Sequence, residues 1–352
     1  MKILYIGDDQ IGTTSLHRAE ALRRLGHDVV LVNASMPIPR QRWAISLAVR
    51  TGFRVFEPWI RSHVLRRIRG QHFDLVWLNC SPEVGPGLAR TLRRQSRWIA
   101  GYMNDDPFGG RDGRKWDLFK KALPCYDLLA VVRTPNIEEA YRAGAKKVVH
   151  AFMSCDPVAH SPVVMTAPER REWSSEVVFV GNWFPERGPF MARLLELGVP
   201  VTIRGLEWQR APELGRFQDA WKGPAANGAD YVRAIQSAKV ALGLLSKGNR
   251  DLHTTRSAEV PFIGGAVFCA ERTSAHEMLY RDGEEAVFWS SPEECAARCK
   301  ELLADEERRR RIAAAARNRV IAWGLTNDEV MAALLRVLAG EPADHLLVQS
   351  SG

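Results

Sequence analysis

VALGLLSKGNRDLHTTRSAEVPFIGGAVFC, residues 240–269, is the stretch on which the reading of this chain turns. Its ends are apolar: Val240–Leu244 and Ala266–Cys269 each predict a short buried strand. Between them lies a polar run of fourteen residues, Ser246 to Glu259, followed by Val260-Pro261 and by Gly264-Gly265. A polar loop at the C-terminal edge of a strand is where open α/β sheets bind ligands. Lys247 and Arg250 supply cations for phosphates, and Thr254 and Thr255 can donate at a helix start. Glu259 offers a carboxylate that can accept both hydroxyls of a ribose. A lone basic loop is ordinarily just solvated; four group types with complementary tasks within a few turns point instead to a ligand.

Outward from this loop, short apolar runs alternate with amphipathic segments, the pattern of βαβ units and a parallel sheet. Strands are predicted at Ile3–Ile6, Val29–Val32, Leu75–Leu78, Trp98–Tyr102 and Leu128–Val132. Ser15–Leu25 is predicted as a helix, with Leu16, Ala19, Leu22 and Leu25 at helical spacing and Gly26 as its stop. A second alternation begins at Val177–Val180 and runs through Val201–Ile203 to Ala286–Trp289. The charged, proline-bearing stretch His160–Glu176 separates the two. The expected organisation is a first domain over 1–160, a linker over 161–176, a second domain over 177–325, and a C-terminal helix over 326–345 returning to the first domain. At 352 residues the chain has the length for two such cores.

Composition narrows the class. MKILYIGDD at the start carries no signal-sequence pattern, and no apolar run reaches the ~18–20 residues of a membrane-spanning helix, so a cytoplasmic protein is expected. The six cysteines form no CxxC pair; Cys295 and Cys299 stand one helical turn apart without further ligands nearby in sequence. The net charge of +8 is uneven: residues 1–170 hold 26 Lys and Arg against 16 Asp and Glu, while 171–352 hold 23 against 25. Arg40 to Arg97 includes 12 arginines, with Trp43, Phe53, Phe56 and Trp59 among them. Such a face suits phosphates or an anionic membrane surface.

Two further loops follow predicted strands. Gly7–Ser15 places Gly12 and Thr13 at the start of the first helix, where backbone N–H groups can face a phosphate or sugar. Gly181–Arg187 opens the second alternation, and Arg187 in a first helical turn can bind a diphosphate bidentately. Asp8-Asp9 and Asp105-Asp106 are adjacent pairs, not a spaced metal motif, and no HxxxH or HExxH occurs. No metal and no cofactor is expected. The absence of a GxSxG elbow and of a Walker lysine loop removes the hydrolase and P-loop readings.

The run from Ser246 to Glu294, with FVGNWFPER at 179–187 and YMNDDPF at 102–108, resembles CgeB-type (spore maturation protein-like) glycosyltransferases, relatives of glycosyltransferase family 4. The start Gly12-Thr13-Thr14-Ser15-Leu16-His17-Arg18 is similar to the family's opening motif. The resemblance implies a GT-B fold of two Rossmann-like domains facing a cleft. It also implies a retaining, metal-independent transfer from a nucleotide-sugar, UDP-linked above all, to an acceptor glycan, lipid-linked group or protein. Asp251 and Glu259 have the spacing of the family's two acids, which assigns the first to the donor sugar and the second to the ribose. Arg187, Lys247 and Arg250, with backbone groups near Gly12, Thr13 and Thr254, are expected to stabilise the leaving diphosphate, and Asp105 and His253 are placed with them in the catalytic set. Where many relatives carry a His after the fourth strand, this chain reads Asn104-Asp105. A nucleotide-sugar epimerase, a non-catalytic binder and a DNA-base glycosyltransferase using the basic first half are the alternatives.

Overall fold

The computed structural model describes residues 1–224 and 228–348. The chain divides into two compact units. Unit 1 takes in Met1–Phe152, the short segment Gly248–Arg250 and residues 327–348; unit 2 takes in Met153–Lys247 and Asp251–Thr326.

Unit 1 is built on β1 (Lys2–Ile6), β2 (Asp28–Val32), β3 (Phe73–Asn79), β4 (Ser96–Met103), β5 (Leu128–Val131) and β6 (Val148–Ala151), all parallel in the order β6-β5-β4-β3-β1-β2. The inner strands read as near-continuous apolar runs because helices cover both faces of a parallel sheet. Thr13 caps the first helix, Thr14–Arg24, its hydroxyl accepting from the Leu16 N–H at 3.3 Å, and Gly26 at φ 82° follows its end.

Unit 2 is built on β7 (Ser175–Val180), β8 (Val201–Arg204), β9 (Ala238–Gly243), β10 (Val267–Glu271) and β11 (Val287–Trp289), parallel in the order β11-β10-β9-β7-β8. The chain then forms the helices Pro292–Ala304 and Glu306–Trp323, and Asn327–Ala339 packs against Thr14–Arg24 within unit 1. Arg24 donates to both carboxylate oxygens of Asp328 there, from Nε at 3.1 and 3.0 Å. Finally β12 (Leu347–Val348) pairs antiparallel with β6. No helix among the described residues is long and apolar enough to cross a membrane.

Three features differ from the sequence expectation. The division falls after Phe152, ahead of the expected end at 160. The segment 161–176 contains the helix Ala167–Trp173, closed by a capping box between Thr166 and Glu169, and β7 already begins at Ser175. A capping box satisfies orphan N–H groups locally, so a charged, half-exposed stretch can still be helical. Strands β6 and β12 were not anticipated, being four and two residues long and held by pairing with β5 and with each other.

Candidate functional site

Each sheet reverses its strand order beside its first strand, and each reversal opens a cavity beyond the C-terminal strand ends, the position where open α/β sheets bind ligands.

In unit 1 the reversal lies between β1 and β3, and the loops after β1, β2, β3 and β4 enclose about 590 Å³. Gly7 is required where the chain leaves β1, since a Cβ would stand 2.4 Å from Ser15 Oγ and 2.8 Å from the Tyr5 ring. The walls carry amides, hydroxyls and carboxylates, among them Asp8, Gln10, Asn33, Asn79, Glu83 and Asn104, with no Lys or Arg. Glu83 is 5% exposed, and burial pushes its carboxyl up to about 7 against the pull of Lys115. Beneath the first turn of Thr14–Arg24, the guanidinium of Arg18 is buried 4.0 Å over the Tyr102 ring. It donates from Nη1 to the Thr14 carbonyl at 3.4 Å and to Asn79 Oδ1 at 3.5 Å. Its Nε and Nη2 meet no acceptor among the described residues.

In unit 2 the reversal lies between β7 and β9, and the cavity measures about 180 Å³. Here cations are present. Arg187 opens the helix Arg187–Glu196 and is 6% exposed, donating from Nη1 to the Asn182 carbonyl at 2.7 Å and from Nη2 to the Leu244 carbonyl at 3.2 Å. Its Nε has no partner among the described residues. Burial, reinforced by the like charge of Arg256, draws its pKa down to about 10. Lys247 Nζ contacts Glu271, whose Oε1 also accepts from the Leu245 N–H at 3.0 Å. Phe190 and Trp289 stack 4.8 Å apart on one wall.

The residues singled out in the sequence are distributed unevenly. Arg187 and Lys247 line the unit 2 cavity, and Thr13 lines that of unit 1; Gly12, at φ 84°, sits beside it in the same turn. Arg250 differs from its expected place with the phosphate cations. Its Nη2 donates to Asp106 at 2.8 Å, and Nη1 and Nη2 donate to Glu139 at 3.0 and 2.9 Å, all within unit 1. Those carboxylates hold the guanidinium above its usual range. Burial opposes the charge of Asp106, but hydrogen bonds from Arg250 and Asn136 outweigh it and keep its carboxyl low. Asp105 lies 3.3 Å from Lys115 Nζ. His253 is 2% exposed and its Nε2 accepts from the Met153 N–H at 3.0 Å. Glu259 is buried, accepting from Tyr231 Oη at 2.9 Å, with His160 Nε2 3.7 Å away. Thr254 and Thr255 lie just ahead of the helix Arg256–Ile263, and the Thr255 carbonyl accepts from the Glu259 N–H at 2.8 Å. Asp251 is half-buried, and its charge acts on Arg187.

Glu83 and Arg18 were not singled out. In sequence each is an ordinary charged residue, Arg18 as the last residue of the opening motif, and only burial makes it unusual. The fold also brings a third thiol to the cysteine pair seen in the sequence. Cys269 of β10 joins Cys295 and Cys299 of the helix Pro292–Ala304, the three sulfurs lying within 4.8 Å of one another in the unit 2 core.

Residues 187–336 match a family model described as glycosyl transferase-like. No curated protein matches the chain. Among solved structures, the chain is similar to sucrose-phosphate synthase from Thermosynechococcus elongatus, with 15% identity and a TM-score of 0.67, covering 96% of this chain and 99% of that one. It is similar to HepE from Anabaena in complex with UDP and glucose, with 12% identity, a TM-score of 0.68 and coverage of 97% and 100%. It is also similar to a UDP-forming α,α-trehalose-phosphate synthase from Burkholderia xenovorans in complex with glucose-6-phosphate, with 12% identity, a TM-score of 0.63 and coverage of 97% and 100%. At such identities the likeness is one of fold: two Rossmann-like α/β domains of the GT-B class.

Proposed function

We propose that this chain is a glycosyltransferase whose unit 2 holds a UDP-linked sugar and whose unit 1 binds the hydroxyl-bearing acceptor. The observation that carries this reading is the glycosyl transferase-like match over 187–336, which begins at the buried cation Arg187 and spans Lys247 and Glu259. The HepE and trehalose-phosphate synthase structures, with UDP and with a sugar phosphate, support a nucleotide-sugar donor and a sugar-like acceptor.

In the proposed reaction the bond from the anomeric carbon to the diphosphate oxygen breaks, a bond to the acceptor oxygen forms, the acceptor's hydroxyl proton is released, and UDP leaves. Charge grows on the diphosphate, and fixed cations in a dry site stabilise it most effectively. Arg187 and Lys247 are the residues proposed for this; Arg250, which donates to Asp106 and Glu139 in unit 1, is left out of the proposed set. Glu259 is proposed for the ribose and Asp251 for the donor sugar, by the resemblance. Retention and independence of Mg²⁺ or Mn²⁺ belong to the same proposal.

The test is a calorimetric screen of UDP, GDP and ADP, followed by turnover of the labelled nucleotide-sugar in excess chelator. Selective UDP binding and chelator-resistant transfer are expected. An epimerised free sugar-nucleotide as the product, or activity restored only by added Mn²⁺, would overturn the reading.

A further inference from the structure

A second cavity of unit 1, about 460 Å³, adjoins the first, since Gln10, Asn33 and Ser35 line both. Its other walls are mostly of a different kind, with Ile38, Pro39, Ile45, Ala48, Val49 and Phe53 forming an apolar stretch, while Arg40 and Lys115 are the charged groups on its lining. A hydroxyl placed against the apolar stretch would lose its water without gaining a partner, so that part of the space favours apolar matter. The ligand that fills both spaces therefore has a hydroxyl-rich end, met by the amides and carboxylates, and an apolar arm.

The outer end of the apolar cavity shows where such a ligand comes from. Ile45 is half exposed, and its helix, Arg42–Arg50, carries Trp43 at 65% exposure with Leu47 one turn on, on the same face. Arg40 lines the cavity, and Arg42 and Arg50 bound the helix. Indole, aliphatic groups and arginines on one short helix fit the boundary of an anionic bilayer, where rings lie among the acyl chains and guanidinium groups pair with phosphates. Phe53 and Phe56, which the sequence placed on this face, are buried in the unit 1 core instead, so the exposed apolar surface is narrower than the sequence indicated.

We infer that the acceptor is an amphipathic, membrane-resident glycolipid or lipid-linked polyol, its head in the polar cavity and its apolar arm in the cavity lined by Ile45, Ala48 and Phe53. As an acceptor assignment this rests on the transferase reading; as a binding site it does not, and the test measures binding. Octyl glucoside, below its micellar concentration, and methyl glucoside are compared by calorimetry with the full chain and with Ala48→Phe, which fills the buried wall. Ile45→Gln, at a half-exposed position, provides a variant whose folding is not at risk. Octyl glucoside is expected to bind at least about tenfold more tightly than methyl glucoside, with the gain lost in both variants and UDP affinity intact. Equal affinity for the two glycosides, or a gain that survives both substitutions, would overturn the cavity assignment. Co-sedimentation with phosphatidylglycerol vesicles but not phosphatidylcholine vesicles, reduced in Trp43→Ala, is expected from the membrane source. Tight octyl glucoside binding with no vesicle association would overturn that source. Loss of UDP binding in the unmodified chain would instead strike the transferase reading alone.

Discussion

The two units share a strand order, β2-β1-β3-β4-β5 in one matching β8-β7-β9-β10-β11 in the other, yet of the cavities at their reversal points only the second is lined with cations. In unit 1 the walls are amides, hydroxyls and carboxylates around a carboxyl that burial keeps protonated up to about pH 7. In unit 2 a buried guanidinium and a lysine face the cavity together with Glu186 and Glu271, with two stacked rings beside them. Topology decides where a ligand goes, and the side chains at the strand ends decide its charge. Only the second lining has cations for a phosphate, Arg187 above all; a neutral polyol suits the first, which has carboxylates and no cation.

The sharpest way to break this contrast is Arg187→Ala. Removing a buried, hydrogen-bonded charge at a binding site costs about 3 kcal/mol, roughly a hundredfold in Kd for UDP by calorimetry. Octyl glucoside binding should not change. Because Arg187 also holds the Asn182 and Leu244 carbonyls, the folded fraction is checked by circular dichroism, with Arg187→Lys as the charge-preserving control.

Glu83 tests the opposite lining through pH. Its carboxyl is raised in the folded state, so between the unfolded value near 4.5 and the folded value near 7 the native protein binds the extra proton. Stability is therefore highest below the unfolded value and falls as pH rises through this window, by about 3 kcal/mol in total. Urea unfolding at pH 4.5 and 7.5 should show that loss, and Glu83→Gln should remove most of it. The same titration turns a hydrogen-bond donor in the cavity wall into an anion, so affinity for octyl glucoside should change with a midpoint near pH 7.

Glu259→Ala comes next. If the carboxylate accepts from a ribose, its loss weakens UDP binding by about 1.5–3 kcal/mol. If its bonds to Tyr231 and its approach to His160 are its whole purpose, thermal stability falls and UDP affinity of the folded fraction does not.

Smallest is the combined replacement of Arg61, Arg66, Arg67 and Arg69 by Gln. On the exposed face of Glu57–Arg67 and just beyond it, each charge contributes at most ~1 kcal/mol toward an anionic surface, screened by salt. Vesicle binding should weaken several-fold at low salt and hardly at all at high salt, leaving UDP affinity untouched. A loss of UDP affinity would reverse the roles assigned to the two units.

Much of this was legible in the linear sequence for a local reason. The apolar runs that became β1, β3, β7 and β9 are buried on both faces, so continuous hydrophobicity marks them whatever surrounds them. The turns after them, Gly7–Ser15, Gly181–Arg187 and Ser246–Glu259, follow from where those strands stop, and Arg187 and Lys247 were found that way. What only the tertiary structure decided is which distant groups meet. Arg250 stands beside Lys247 in the same polar run, yet 144 residues of separation close to pair it with Asp106, and His253 turns inward to a main-chain N–H 100 residues away. Glu83 and Arg18 look ordinary in sequence, because a titration shift or a guanidinium short of acceptors arises from the removal of water by neighbours far along the chain. Charge and periodicity are properties of a segment; burial and partnership belong to the fold.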